Sequence, residues 1–184
     1  MYLGNEEILQ AVSKGLIEID PFNENHVEPA SYDLTLHHKF KIIKGCNFHE
    51  GIFGSYINPS LPLEYRKGNY GHEKFNGHVI IQPKEFVLAS TEERIKLDKC
   101  IAGRVDGKST IGRTGLFIEN AGFVDPGFEG QLTLELFNAT EHPIYLEEGI
   151  KICQIVFSYV SGCTQGYDGQ YKGQQGATGA KGVK

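Results

Sequence analysis

The spacing of apolar and polar positions predicts one helix followed by many short strands. Residues 5–15 place Ile8, Leu9 and Val12 at helical spacing, with Glu6 and Glu7 early and Lys14 late. That charge order suits the helix dipole, and Gly15 can end the last turn, so a short amphipathic helix is predicted. Leu16-Ile17-Glu18-Ile19-Asp20 then alternates as a strand does, until Pro21 stops it. In Tyr32-Asp33-Leu34-Thr35-Leu36 the apolar side chains share one face, and Asp33 and Thr35 the other. His37 and His38 follow directly. On a continuing strand they point to opposite faces, so they are not expected to hold a metal together.

Residues 40–43, 79–82, 86–89, 95–97, 101–105, 143–146 and 150–157 each read as a further short strand. Residues 46–77 differ, being rich in Gly, Asn, Pro and Tyr with no sustained period. They are read as a long excursion with a short strand or two, of the kind that lines sites or interfaces. Many short strands with a single helix predict an all-β barrel or jelly roll.

Composition narrows the classes of function. At 184 residues the chain supports one good core, taken as a barrel domain over residues 1–162. Residues 163–184 are dense in Gly, Gln and Lys and nearly devoid of aliphatics, so they are expected to form a mobile tail. Tyr167 and Tyr171 stand out in it, and the functional reading is a lid that orders over an anionic ligand. A formal charge of −5 argues against coating nucleic acid, yet a nucleotide needs only a local cluster of cations. No apolar run is long enough to span a bilayer, and acids occupy the N-terminus where a secretory signal carries lysines, so a cytoplasmic location is expected. Cys46, Cys100, Cys153 and Cys163 include no Cys-x-x-Cys pair, so no structural zinc is expected and reduced, scattered thiols are.

The candidate chemistry lies between Gly107 and Asn138. Gly107-Lys108-Ser109-Thr110, followed by Arg113, gathers hydroxyls, cations and unhindered amides that suit an anion. Asn120-Ala121-Gly122-Phe123-Val124-Asp125-Pro126-Gly127-Phe128 reads as turns, with Asp125 entering a tight Pro-Gly reversal. Residues 131–138 alternate as a strand, with Leu132, Leu134 and Leu136 facing a core. Thr133, Glu135 and Phe137 face the other way, which places Glu135 where a pocket wall can form. Taken singly, each signal is weak: a strand Glu is usually solvated, Asp-Pro-Gly is usually only a turn, and the Lys-Ser-Thr cluster lacks the full P-loop pattern.

In order and spacing these segments resemble the dCTP deaminases, metal-independent enzymes that share the distorted β-barrel of trimeric dUTPases. Residues 29–34 resemble the family's N-terminal signature, residues 86–92 its central strand, and GKSTIGRTG its phosphate motif. DPGFEGQLTLE resembles the catalytic block, and residues 171–178 the closing tail. The resemblance implies that Glu135 is the general acid/base, ferrying protons as water attacks C4 of cytosine, with a pKa lifted toward neutrality by a partly apolar pocket. It implies that Ser109 holds water and base, that Arg113 stabilises charge, and that Lys108, Ser109 and Thr110 grip the triphosphate. Asn120, Ala121, Gly122, Asp125, Tyr167, Tyr171 and Gln174 would complete the nucleotide site. It further implies Mg2+ carried on the phosphates, no zinc, and a homotrimer with sites at subunit interfaces. The His-x-Glu and Pro-Cys-x-x-Cys signature of zinc deaminases is absent.

Three positions depart from the family pattern. Lys108 stands where Arg is usual, trading a bidentate fork for a point charge. Gln170 replaces a common tail Lys. The turn Glu119-Asn120-Ala121-Gly122 resembles that of dUTPases and of bifunctional members, which continue from dCTP to dUMP with an aspartate at the position of Asp125 directing water to the α-phosphate. Deamination alone, deamination with onward hydrolysis, dUTP hydrolysis alone, and silent deoxynucleotide binding are the readings the sequence leaves open.

Overall fold

The computed structural model describes residues 1–45, 64–67, 78–119 and 122–182. Helix α1 (Asn5–Ser13) leads into β1 (Ile17–Asp20), β2 (Val27–Glu28), β3 (Ser31–Thr35), β4 (Lys41–Gly45), β5 (Glu64–Lys67) and β6 (His78–Ile81). The long β7 (Phe86–Leu97) and β8 (Ile101–Gly107) come next, then the single turn α2 (Ser109–Gly112). The chain continues through β9 (Leu116–Glu119), β10 (Phe123–Val124), β11 (Glu129–Asn138), β12 (Ile144–Glu147) and β13 (Lys151–Tyr159). Among the described residues no helix is long and apolar enough to cross a membrane.

Local rules account for the ends of α1. The Gly4 amide donates to the Glu7 carboxylate at 3.0 Å, satisfying a free N-terminal donor, and Gly15 leaves the helix in the left-handed region at φ 69°. Ile8 and Ala11 are the residues it buries.

One sheet runs β5-β4-β7-β11-β9, with β1 also paired to β7. The other runs β10-β8-β13-β3-β2, and β12 pairs with β6 in a small third sheet. Leu134 and Leu136 of β11, Ile95 of β7, Leu34 of β3 and Ile155 of β13 are all fully buried in one apolar cluster, so the core lies between the two large sheets. The fold is therefore mostly β, with one short N-terminal helix, as the periodicity predicts.

One expectation about strands changes. Residues 86–89 and 95–97 belong to one continuous strand: Ser90, Thr91 and Glu93 between them are buried, the Thr91 hydroxyl donates to the Glu93 carbonyl at 2.7 Å, and the Glu93 carboxylate accepts from the Thr35 amide and hydroxyl. Both faces of β3 are buried, and Asp33 and Thr35, on the face opposite Tyr32 and Leu34, lie in a polar layer.

Two expectations about thiols and histidines are overturned. Cys100 and Cys163 form a disulfide with their Cα atoms 4.3 Å apart, while Cys153 is a free, buried thiol. Their separation of 63 residues hides the pair from any spacing rule. His37 and His38 lie past the end of β3, and their rings stack with centroids 4.1 Å apart, so they share one side of the chain. Cys46, His49, His72 and most of the 46–77 excursion fall outside the described residues.

Candidate active site

β11 carries the first wall of the site. Its even-numbered residues from Gly130 to Asn138 are buried, and Gln131, Thr133, Glu135 and Phe137 face the other way, partly exposed. Glu135 pairs with Leu88 of β7 on one side and with Glu119 of β9 on the other, so its backbone is held within the sheet. Thr133 and Glu135 look into a cavity of about 510 Å³ whose apolar wall includes Phe86, Leu88, Val105 and Phe128. A largely apolar cleft holding a few polar groups is the usual form of a small-molecule site.

The Asp-Pro-Gly turn and the tail supply the opposite wall. The Phe128 amide donates to the Asp125 carbonyl at 3.0 Å, closing the turn. Gly127 sits at φ 80°, and a Cβ there would lie 2.7 Å from Gly166 Cα, so only glycine lets the tail pass this closely. The Tyr167 amide donates to the Pro126 carbonyl at 2.7 Å, and the Tyr167 ring lies 5.9 Å from that of Phe128.

Further along, the tail is laced to β11. The Gly173 amide donates to the Glu129 carbonyl at 2.7 Å, and the Gln131 amide to the Gln174 carbonyl at 3.0 Å. Gln174 Nε2 returns a bond to the Gln131 carbonyl at 2.7 Å, and the Thr178 amide donates to Thr133 Oγ1 at 3.0 Å. A register shift between Gln131 and Thr133 frees Gln131 for this task. Its Nε2 donates to the Thr91 and Glu92 carbonyls while its Oε1 accepts from the Gly176 amide at 2.6 Å.

The predicted site residues divide into two groups. Glu135, Asp125, Gly122, Tyr167, Tyr171 and Gln174 line the cavity. Lys108, Ser109, Thr110 and Arg113 do not line it within this chain; Ser109, Thr110 and Arg113 are exposed around α2, where the Arg113 amide donates to the Ser109 carbonyl at 3.0 Å. Asn120 and Ala121 fall outside the described residues. Sequence reasoning missed Gln131, Thr178 and Phe123 as wall and latch residues. Alternation along β11 places Gln131 on the face of Glu135 and could have found it; nothing local marks Phe123.

Beside α2 lies a buried polar layer. Lys108 Nζ bonds to the fully buried carboxylate of Asp33, which Lys151 Nζ also approaches at 3.1 Å. Burial pushes the Asp33 pKa up, but hydrogen bonds and charge from the two lysines outweigh it and hold the carboxyl below its ordinary range. Glu93, 2% exposed, accepts from the Thr35 amide at 2.9 Å and the Thr35 hydroxyl at 2.8 Å, yet burial wins and raises its pKa. This layer joins β3, β7 and β13 behind the phosphate-type motif. It holds Lys108, the residue that precedes α2.

Comparison with known proteins agrees with the geometry. The family described as dCTP deaminase-like matches residues 2–160. The chain is 40% identical over 179 residues to the dCTP deaminase, dUMP-forming, of Aquifex aeolicus (strain VF5), covering 96% of this chain and 92% of that protein. It is 39% identical over 186 residues to the protein of the same name from Sulfurihydrogenibium sp. (strain YO3AOP1), covering 98% and 97%. The crystal structure of the 2'-deoxycytidine 5'-triphosphate deaminase from Agrobacterium tumefaciens shares the fold, with a TM-score of 0.61 at 19% identity over 85% of this chain and 47% of that one, so this chain spans about half that protein's length. A strand glutamate, an Asp-Pro-Gly turn and a returning tail meet around one cavity in a chain matched along nearly its whole length, and the chain belongs to the dCTP deaminase-like family.

Proposed function

We propose that this protein converts dCTP to dUTP and ammonia, and then dUTP to dUMP and pyrophosphate, with Glu135 as the acid/base of the first step. The observation that carries the reading is the place of Glu135: on a strand held from both sides, facing a largely apolar cavity that the tail helps to wall. Glu135 takes a proton from water as its oxygen bonds to C4 of the cytosine, and N3 receives a proton. The tetrahedral centre then collapses: the C4–N4 bond breaks, the amine leaves as ammonia with a proton passed through Glu135, and the ring is uracil. Proton transfer of this kind contributes about 10²- to 10⁴-fold in rate.

Asp125 is exposed on the same wall and serves the second step, orienting water toward the α-phosphate. Onward hydrolysis is supported by the Asn120-Ala121-Gly122 turn and by relatives named dUMP-forming. Mg2+ fits this arrangement as an ion carried by the triphosphate, since the wall offers hard carboxylate oxygen from Asp125 and magnesium is usually held by one or two carboxylates with substrate phosphates. Bound there it would neutralise phosphate charge.

The proposal extends to a homotrimer, the assembly that the family resemblance implies. Lys108, Ser109, Thr110 and Arg113 form an anion-suited cluster that lies off this chain's own cavity, and Phe117 and Phe123 are 47% and 63% exposed on nearby strands. Packing such strands against a neighbour would bury those rings and bring the cluster of one subunit to the cavity of the next.

Two variants test the assignment. Glu135→Gln keeps size and removes the base, so ammonia release should fall by about 10²-fold or more while dCTP still binds. Asp125→Asn should let dUTP accumulate from dCTP. Ammonia release near the parent rate in Glu135→Gln rules out its role, and a parent that yields only dUTP rules out the second step.

A further inference from the structure

We propose that His37, His38 and Glu92, with Glu148 as a fourth donor, form a binding site for a divalent transition-metal ion, and that Zn2+ is the ion this donor set fits best. A nitrogen of each histidine and a carboxylate oxygen of Glu92 lie within 4.8 Å of one another. His37 Nε2 is 3.7 Å from Glu92 Oε2, and His38 Nδ1 is 3.2 Å from Glu148 Oε1. Glu92 Oε2 is buried without a hydrogen-bond partner. The Glu92 side chain is 42% exposed as a whole, yet Oε2 itself faces the histidine pair with no hydrogen bond, a place where an ion supplies the missing partner. Two imidazoles with one or two carboxylates are borderline donors that favour Zn2+ and exclude Mg2+, which needs oxygen throughout.

Backbone hydrogen bonds bring the donors together before any ion arrives. The His37 amide donates to the Ser90 carbonyl at 3.0 Å, fixing the histidine pair beside β7, two residues from Glu92. The Leu36 amide donates to the Ile150 carbonyl at 3.0 Å and the Gly149 amide to the Leu36 carbonyl at 2.8 Å, fixing the β12–β13 turn that carries Glu148. Tetrahedral ligands about 2.1 Å from zinc sit about 3.4 Å apart, so the donors need only draw together. His38 and Glu148 are 47% and 44% exposed and free to adjust, while His37, at 11%, is the fixed member.

One rearrangement accompanies loading. His37 Nδ1 accepts the Lys39 amide at 3.1 Å, so without metal the ring proton sits on Nε2, facing Glu92. An ion on Nε2 displaces that proton to solvent, Nδ1 takes one up, and the Lys39 amide turns outward, where that residue is already exposed. None of these donors lines the cavity, so the ion is structural. The Glu92 carbonyl accepts from Gln131 Nε2 at 3.1 Å, so the clamp holds β7 at the point where the tail's latch is anchored.

The test uses tag-free full-length protein stripped with a chelator that is then removed. Titration with Zn2+ should show one saturable equivalent per chain, a raised thermal midpoint with Zn2+ but not with Mg2+, and, with Co2+, visible absorption of a nitrogen- and oxygen-bound ion. His38→Ala should lose the equivalent and Glu92→Gln should weaken it by at least about 10-fold, with circular dichroism of both variants matching the metal-free parent. The proposal is overturned if the parent shows neither saturation nor a zinc-specific thermal shift, the readout that stands if a variant misfolds. It is also overturned if both folded variants hold zinc as the parent does, in which case the four side chains are only histidine–carboxylate ion pairs.

Discussion

The Tyr167 amide donates to the Pro126 carbonyl at 2.7 Å, so the root of the tail is built onto the turn that presents Asp125. The closeness depends on Gly127, whose φ of 80° and lack of a side chain admit the tail backbone. Gly127→Ala is expected to push the tail off this turn. A local loss of about 1.4 kcal/mol would raise KM for dCTP about tenfold, with a smaller effect on kcat. Steady-state kinetics beside an unchanged circular dichroism spectrum check this, and an unaltered KM would show that the tail's seat does not matter for substrate.

The Cys100–Cys163 disulfide ties the tail's first residues to the turn before β8, where the Thr164 amide also donates to the Lys99 carbonyl at 2.9 Å. Closing a loop of this size stabilises by about 4 kcal/mol through the unfolded chain. Cys163→Ser should lower the denaturation midpoint accordingly, and reductant should bring the parent to the same midpoint. Identical midpoints for parent and variant without reductant would mean that the bridge does not form in solution.

Lys108 begins the phosphate-type motif and also answers the buried Asp33. Breaking a buried pair outright costs about 3–5 kcal/mol. Because Lys151 remains 3.1 Å from the same carboxylate, Lys108→Met should cost less, about 2 kcal/mol. Denaturant titration at neutral pH reads this separately from any change in KM.

Acid adds a second reading of the same pair. The Asp33 pKa is depressed in the fold, so its contribution is full above the unfolded carboxylate value and is lost as pH falls through the lower folded value. Glu93 has the opposite sign: its pKa is raised above the ordinary 4.5, so its ionisation lowers stability as pH rises through that window. In Lys108→Met the acid-unfolding midpoint should move to higher pH. A midpoint unchanged from the parent would contradict the pairing.

The all-β class, the leading helix and the faces of β11 were legible because burial there follows simple periods: Leu132, Leu134 and Leu136 alternate with Thr133 and Glu135 as a half-buried strand requires. Asp125, Tyr167 and Gln174 were legible through family likeness, and the cavity gathers them. Long-range facts were not. Nothing local in Ser90-Thr91-Glu92-Glu93 signals a central strand, since the Glu93 carboxylate is answered by Thr35 and the Thr91 and Glu92 carbonyls by Gln131, both far off in sequence. The disulfide partners and the stacking of His37 on His38 depend likewise on where distant segments meet or where β3 stops.

Incubating the parent protein with dCTP and Mg2+, and quantifying ammonia, dUTP and dUMP together, tests the central assignment most directly. One ammonia for each dCTP consumed, with dUMP and pyrophosphate as the end products, is the predicted result. Intact dCTP with no ammonia released, under conditions where the chain is folded and dUTP is or is not hydrolysed, would contradict it.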